Sequence, residues 1–328
     1  MTATAGSRSW RSIAAWRSLF RDRPVIPLLV LLALLVLLSQ LARPGIVTSG
    51  WASTIVKASI PLAVLAGCQT LTMLTGGIDL SVGAIASMSG FVLATLVSGP
   101  GTGFGIAVAL AAAAIAGLVT GIGVGVFRVH PLIMTLGMSL VVLGLANVWQ
   151  IQNVTAGNHV DPGLRTLGSS DILDILPMSL IVFVPVAAFI ILMLRRTGFG
   201  RLLFAIGDNP TAARLSGARG WQVLIVLYVL SAVLAAIAGF LISGLTNVAS
   251  VSLADSYVLP SVAVAVIGGT SILGGRGGFV GAIIGALILS VVGSLLSSLG
   301  YPEAVRQILF GSIIVVVAAA YTRVTGET

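Results

Sequence analysis

Charge is scarce in this chain. Only 8% of its 328 residues are Asp, Glu, Lys or Arg, against about 25% in an ordinary soluble domain. A fold exposed to water would have little with which to cover its surface, so a soluble helical protein is set aside. Cysteine is nearly absent: Cys68 stands alone inside an apolar stretch. This excludes an intramolecular disulfide and a cysteine-built metal cluster, and leaves Cys68 as a packing residue. The two histidines, His130 and His159, lie in separate polar intervals with no zinc-ligand spacing. No Walker A pattern is present, since Gly268-Gly269-Thr270 and Gly274-Gly275-Arg276 lack its lysine and hydroxyl pair. The most polar intervals, 1–24, about 151–173 and 195–220, are each too short to bury a core of their own.

What the chain has in abundance is apolar length, with 57% hydrophobic residues and a mean hydropathy of +1.14. The apolar stretches are 25–42, 51–74, 80–98, 103–127, 131–150, 174–194, 221–245, 256–273, 279–299 and 304–321. Several reach the roughly 20 residues that cross about 30 Å of hydrocarbon as a helix. They are continuously apolar rather than alternating, which favours helices over a barrel. The expected fold is all-α: a polytopic transmembrane bundle of about ten helices, some broken or re-entrant. Residues 80–98 and 256–273 are the shorter or more polar candidates for interruption. The first stretch follows a basic approach, but without a convincing cleavage pattern it reads as a retained helix rather than a signal peptide.

Basic residues orient the bundle. With the N-terminus inside, thirteen of them, among them Arg128, Arg195, Arg196, Arg201, Arg214, Arg219 and Arg276, fall on the cytoplasmic side. Four, Arg43, Lys57, Arg165 and Arg306, fall outside. This is the positive-inside bias, with both termini cytoplasmic; an eight-helix arrangement would satisfy it equally. The net charge of +8 therefore reads as topology and contact with membrane lipid rather than nucleic acid. The expected organisation is a cytoplasmic segment 1–24, a transmembrane domain 25–322 with a cytoplasmic loop at 195–220, and a tail 323–328.

Glycine marks the interruptions. In the first, Gly76, Gly77, Asp79 and Ser81 stand between apolar segments, where the Asp79 carboxylate can cap the helix starting near Leu80. Direct contact of Asp79 with solute, and an interaction with another subunit or loop, are the lesser alternatives. In the second, Gly268, Gly269, Thr270, Gly274, Gly275 and Arg276 form a run in which glycines close a turn and Thr270 and Ser271 satisfy freed backbone groups. Arg276 is expected at the cytoplasmic interface or against a partner. Gly281 with Gly285, and Gly117 with Gly121 and Gly125, are four-residue small seams suited to close helix packing.

The loop 195–217 carries a docking signature. Asp208 or Asn209 can cap a short helix begun by Pro210. Ala212, Ala213 and Leu215 then offer a small surface and Arg214 a polar contact; Gly207 precedes this segment and Ser216 ends it.

Three motifs together carry a family resemblance: LTGGIDLSVGAI at 74–85, FGRLLFAIGDNPTAARLSG at 199–217, and VIGGTSILGGRGGFVGAIIGALI at 266–288. Over about 45–322 the chain resembles membrane permeases of ATP-binding-cassette importers, in the ribose and monosaccharide branch of the branched-chain amino-acid type family. It departs at 255–262, where DSYVLPSV replaces a pattern resembling ELDAIAAV. The resemblance implies a non-catalytic subunit that binds no cofactor, with ATP and Mg held by cytoplasmic ATPase partners. It further implies a second permease subunit, identical or not, and an extracytoplasmic binding protein that delivers the sugar in a bacterial inner membrane. By position, the ATPase-coupling loop falls at Gly198–Arg219. A self-contained secondary transporter, a channel or a scaffold would share the hydropathy.

Overall fold

The computed structural model describes residues 25–153, 160–172 and 176–312, with Val315. Segment 1–24, His159 and the tail expected at 323–328 lie outside the described residues. The chain is helical nearly throughout, as a lipid environment demands of backbone that has no water to bond. In order, α1 is Val25–Ala42, α2 Ser49–Met73, α3 Val82–Leu96, α4 Thr102–Gly125 and α5 Pro131–Gln152. A short α6, Pro162–Ser169, and a two-residue hairpin, β1 Asp171–Ile172 with β2 Leu176–Pro177, follow. Then come α7 Leu180–Arg196, α8 Gly198–Asp208, α9 Pro210–Leu215 and α10 Gly220–Thr246. A 3-10 turn at Asp255–Tyr257 leads into α11 Val258–Ile267, then α12 Phe279–Ser298, and residues 303–312 are helical.

Six described helices are long and apolar enough to cross a membrane: α1, α2, α4, α5, α10 and α12. A seventh span arises if α7 and α8, bent by 68° at Thr197, are taken together. The even count of ten is therefore corrected: α3 and Asp255–Ile267 are shorter apolar helices, and 304–321 is described only in part. The bend has a local cause. Thr197 Oγ1 donates to Met193 O at 2.6 Å and accepts from Gly200 N at 3.1 Å, closing one helix and capping the next. A Cβ on Gly200 would lie 2.6 Å from Met193 O, so only glycine lets α8 fold back this sharply.

Helix α10 is the central strut, packed against α2, α3, α4 and α6. The four-residue seam on α4 meets it: Cβ atoms on Gly121 and Gly125 would stand 2.6 Å from Ile225 Cα and 2.9 Å from Trp221 O. Gly281 and Gly285 do the same for α12 against the backbone of α11 at Gly268 and Val264. Close backbone approach replaces the hydrophobic driving force that helices lack in lipid. By contrast α1 buries only Ser39 and leans on α12 from outside. Cys68 is buried and donates to Val64 O and Ser231 O at 3.4 and 3.3 Å.

At the end of the bundle opposite α8 and α9, the hairpin is clasped to α2. Lys57 Nζ donates to Ser169 O at 2.6 Å and pairs with Asp171 Oδ2 at 2.7 Å, while Ser53 donates to the other Asp171 oxygen. These donors, Lys57 first, hold the Asp171 carboxyl below the usual carboxylate range.

Two outcomes follow. Gly121→Leu should cost about 3 kcal/mol or more through overpacking, read as a lower Tm of the purified chain in detergent. Gly137→Leu, with nothing within 4 Å of its Cβ, should leave Tm unchanged. Because the Asp171 pKa is depressed on folding, its stabilisation is full above the unfolded carboxylate range, about 3.9. It is lost as pH falls through the lower folded value. The protection of amides at 160–172, taken relative to the intrinsic exchange rate at each pH, should fall at low pH in the wild type and should be low at every pH in Asp171→Asn.

Candidate functional site

The first interruption begins where α2 ends. Leu74 N bonds Thr70 O, and the chain turns through Gly76, whose φ is +77°. It then re-enters the bundle before α3 starts. Asp79 is buried there, 2% exposed, and its partners come from several helices. Gln69 on α2 grips its backbone from both sides, with Nε2 donating to Asp79 O at 2.7 Å and Oε1 accepting from Asp79 N at 3.2 Å. The carboxylate accepts from Ser81 N at 3.0 Å and Ser81 Oγ at 2.6 Å through Oδ1, and from Ser231 Oγ on α10 at 2.9 Å through Oδ2. Thr135 on α5 completes the cradle, donating to Ile78 O and accepting from Leu80 N, both at 3.1 Å. Three neutral donors thus hold the carboxylate, and each would be left unpaired without it.

Asp79 does not occupy the cap position itself. Ser81 does, making no side-chain cap bond to α3; Asp79 instead secures the turn that presents Ser81. Tyr228 lies alongside: a Cβ on Gly77 would stand 3.0 Å from its hydroxyl, which is buried without a hydrogen-bond partner among the described residues. Gln69, Thr135 and Ser231 escape the sequence patterns, because single polar residues inside apolar stretches carry no periodic signal. Their interruption of otherwise apolar helices is the cue that was available.

The second interruption folds as a glycine turn. Ser271 N bonds Arg276 O at 2.9 Å and Ser271 Oγ accepts from Leu273 N at 3.2 Å. Thr270 differs from expectation: its hydroxyl is buried with no hydrogen-bond partner among the described residues, while its backbone N donates to Ala265 O at 3.0 Å. Gly268 is buried against Gly281, Gly269 is exposed, and Arg276 is exposed beside a groove it shares with Arg195.

The three motif segments converge on the junction between α8 and α9. Gly275 N donates to Leu74 O at 3.0 Å, joining the two interruptions directly. A Cβ on Gly207 would collide with the Leu74 carbonyl, and one on Gly274 would stand 3.0 Å from Gly207 O and from Gly76 N. Gly275 faces the Asp208 Cα at the same distance. Backbone therefore meets backbone at the base of the short helix.

Helix α9 itself is stiffened at both ends. Asn209, not Asp208, is its cap, accepting from Ala212 N at 2.9 Å with Pro210 in the first turn. It ends in a paired closure: Ala218 N to Ala213 O at 3.1 Å and Gly217 N to Arg214 O at 3.0 Å, with Gly217 at φ +90°. Ser216 Oγ adds a bond to Ala213 O at 2.8 Å. The expected docking surface needs one correction. Ala213 is buried, 6% exposed, and faces the permease, whereas Ala212, Arg214 and Leu215 face out, Leu215 at 82%. Among the described residues no cluster of His, Cys, Asp or Glu can hold a metal ion.

The family model for the branched-chain amino acid transport system permease component matches residues 51–318. The chain belongs to this family of transport permeases. It is 37% identical over 251 residues to a ribose import permease protein of Bacillus subtilis (strain 168), covering 76% of this chain and 77% of the relative. A ribose import permease protein of Escherichia coli (strain K12) is 33% identical over 309 residues, 92% of each chain. A fructose import permease protein of Rhizobium meliloti is 29% identical over 302 residues, 90% of this chain and 84% of the relative. No solved structure matches the chain. As a family member it is a multi-pass membrane permease, and the six or seven spans accord with that membership.

The Asp79 network yields a graded outcome. Asp79→Leu abandons three donors at about 1–3 kcal/mol each and should sharply lower Tm or prevent a monodisperse preparation. Asp79→Asn keeps one acceptor oxygen for Ser81 and should fall between it and the wild type. Equal damage by both would argue that the charge, rather than the bonding, is what matters.

Proposed function

We propose that this chain is the permease subunit of an ATP-driven importer of a monosaccharide or related small polar solute. The family label names amino acids, but the relatives described above are named for ribose and fructose import and align over most of their length. In this reading the permease domain spans 25–322, and 195–220 is its coupling loop. The end bearing α8 and α9 faces the cytoplasm of a bacterial inner membrane, supported by the concentration of Arg128, Arg195, Arg196, Arg201, Arg214, Arg219 and Arg276 at that end. Both termini lie on the same side. A second permease subunit completes the path, cytoplasmic ATPases bind ATP and Mg, and an extracytoplasmic binding protein delivers the solute.

The observation that carries the reading is the construction of α9. It is a six-residue helix, capped at both ends, exposed on one face and seated at its base on the backbone of both interruptions. No acid, nucleophile or metal is required of such an element; what it can do is receive force. Alternating access then works by differential partner contacts, since a partner that binds both states equally shifts nothing.

Reconstituted with its ATPase and binding protein, the chain should take up radiolabelled ribose or fructose only when ATP and both partners are present. Leu215→Asp, altering an exposed side chain, should reduce ATPase association about tenfold and uptake in proportion while Tm is unchanged. Uptake of the same size without ATPase would make the protein a self-contained transporter or channel. Unaltered association in Leu215→Asp would remove α9 from the docking surface.

A further inference from the structure

Where the end of α4, the α8–α9 junction and the start of α10 converge, a groove of about 750 Å3 opens. Arg128, Arg214 and Arg219 line it, and no acidic residue does. Among the described residues none of these three guanidinium groups makes an ion pair or a side-chain hydrogen bond. All three are exposed, so an anion entering the opening would meet three positive charges with no acidic side chain among the lining residues. Arg128 is also held in an unusual way. It follows α4 with φ at +57°, bracketed by Phe127 N to Ile122 O at 3.2 Å and Val129 N to Gly123 O at 3.0 Å. Glycine is the ordinary occupant of a left-handed position after a helix, yet here the position carries a guanidinium.

Apart from Thr211 the rest of the lining is apolar or glycine, and part of it belongs to the spans α4 and α10. Ile206, Trp221 and Leu224 form the wall, and Trp221 is half-exposed at the first turn of α10, the depth at which tryptophan anchors helices at a membrane interface. An acidic protein surface would use the arginines but not an apolar wall that continues along α4 and α10 into the hydrocarbon. A phospholipid uses both: its phosphate takes charge-assisted bonds from arginine forks, and its acyl chain follows the wall.

We propose that this groove binds the headgroup of an anionic phospholipid, its phosphate held by Arg128, Arg214 and Arg219 and its chain lying against Trp221 and Leu224. Its assignment to the cytoplasmic leaflet rests on the orientation proposed above; the binding itself does not. Because Arg214 is part of α9, the lipid would tie the coupling helix to the membrane surface beside it.

The full-length chain, purified in detergent, is equilibrated with labelled phosphatidylglycerol or phosphatidylcholine, and retained lipid is measured after gel filtration. Retention in detergent is blind to orientation, ATPase and sugar, so its failure is separable from failure of the import reading. Phosphatidylglycerol should be retained at least fivefold over phosphatidylcholine, and the Arg128→Ala, Arg219→Ala double variant should lose that preference while staying monodisperse. If the double variant does not stay monodisperse, Arg128→Gln and Arg219→Gln singly carry the test, each expected to lower retention about threefold. Equal retention of the two lipids overturns the proposal, as does an undiminished preference in the variants. Displacement of the lipid by millimolar inorganic phosphate would assign the arginines to a free anion instead. Loss of ATPase binding by the variants, with phosphatidylglycerol retention intact, would assign them to the protein partner.

Discussion

A peptide group inside hydrocarbon must find its hydrogen bond within the protein, and the arrangement of this permease follows from meeting that demand where its helices stop. An unbroken span satisfies its own backbone. Chain between the spans does not: the first interruption is served by polar side chains set into otherwise apolar neighbours, whereas the second closes on its own Ser271 and on the Leu74 carbonyl. Gln69 and Thr135 take the backbone of residues 78–80. Where the chain beyond α10 turns through Asn247 in a left-handed conformation and runs back inward, the buried Ala254 N donates to Ser87 Oγ at 2.8 Å. Asp79 extends the same logic, joining the start of α3 to Ser231 on α10, eleven residues or about 16 Å of rise from the beginning of that helix.

Close backbone contact is the second consequence. Side chains between two helices can absorb a displacement by changing rotamer, whereas abutting main chains cannot. At the base of α9 the contacts are of the latter kind: Gly207 on Leu74, Gly274 on Gly76, Gly275 on Asp208. A push on α9 therefore reaches both interruptions without passing through a deformable layer. Bulk at any of these positions would loosen the joint or force it open, which is a physical reason for glycine there besides turn formation.

Much of this was legible locally. Apolar length located the spans to within a few residues, as with 103–127 for Thr102–Gly125 and 279–299 for Phe279–Ser298. Glycine and polar content singled out the neighbourhoods of α3 and α11 as shorter elements. The capping of α9 ahead of Pro210 is a property of adjacent residues and could be read down to Asp208 or Asn209, the structure deciding for Asn209. What could not be read was set by contacts distant in sequence. That Ala213 turns inward while Leu215 turns out depends on where α9 sits against α8 and α10. The sharp bend at Thr197 depends on Gly200 meeting the carbonyls of α7, and the pattern there reads only as a polar loop. The two glycine-rich interruptions signalled turns and the segment around Gly207 a docking loop, but not that the three meet.

The two kinds of contact divide the molecule in a way that bears on the proposed import cycle. Asp79 and its donors join α2, α3, α5 and α10, the glycine seams add α4 to α10 and α12 to α11, α11 and α12 pack on α2, and the glycine joint fastens α9 to this body. Opening a path within that body would break the bonds that Ser81 N and Ser231 Oγ make to Asp79 and part the close backbone contacts of the glycine seams. Sliding the body as a unit against a second subunit breaks none of these. In the import cycle proposed above, the energetically cheaper boundary would thus lie between subunits rather than inside one, in keeping with rigid-body motion about an interface as a general means of switching. On this view the polar network and the glycine joints serve one end: they make the permease stiff enough to be moved from α9.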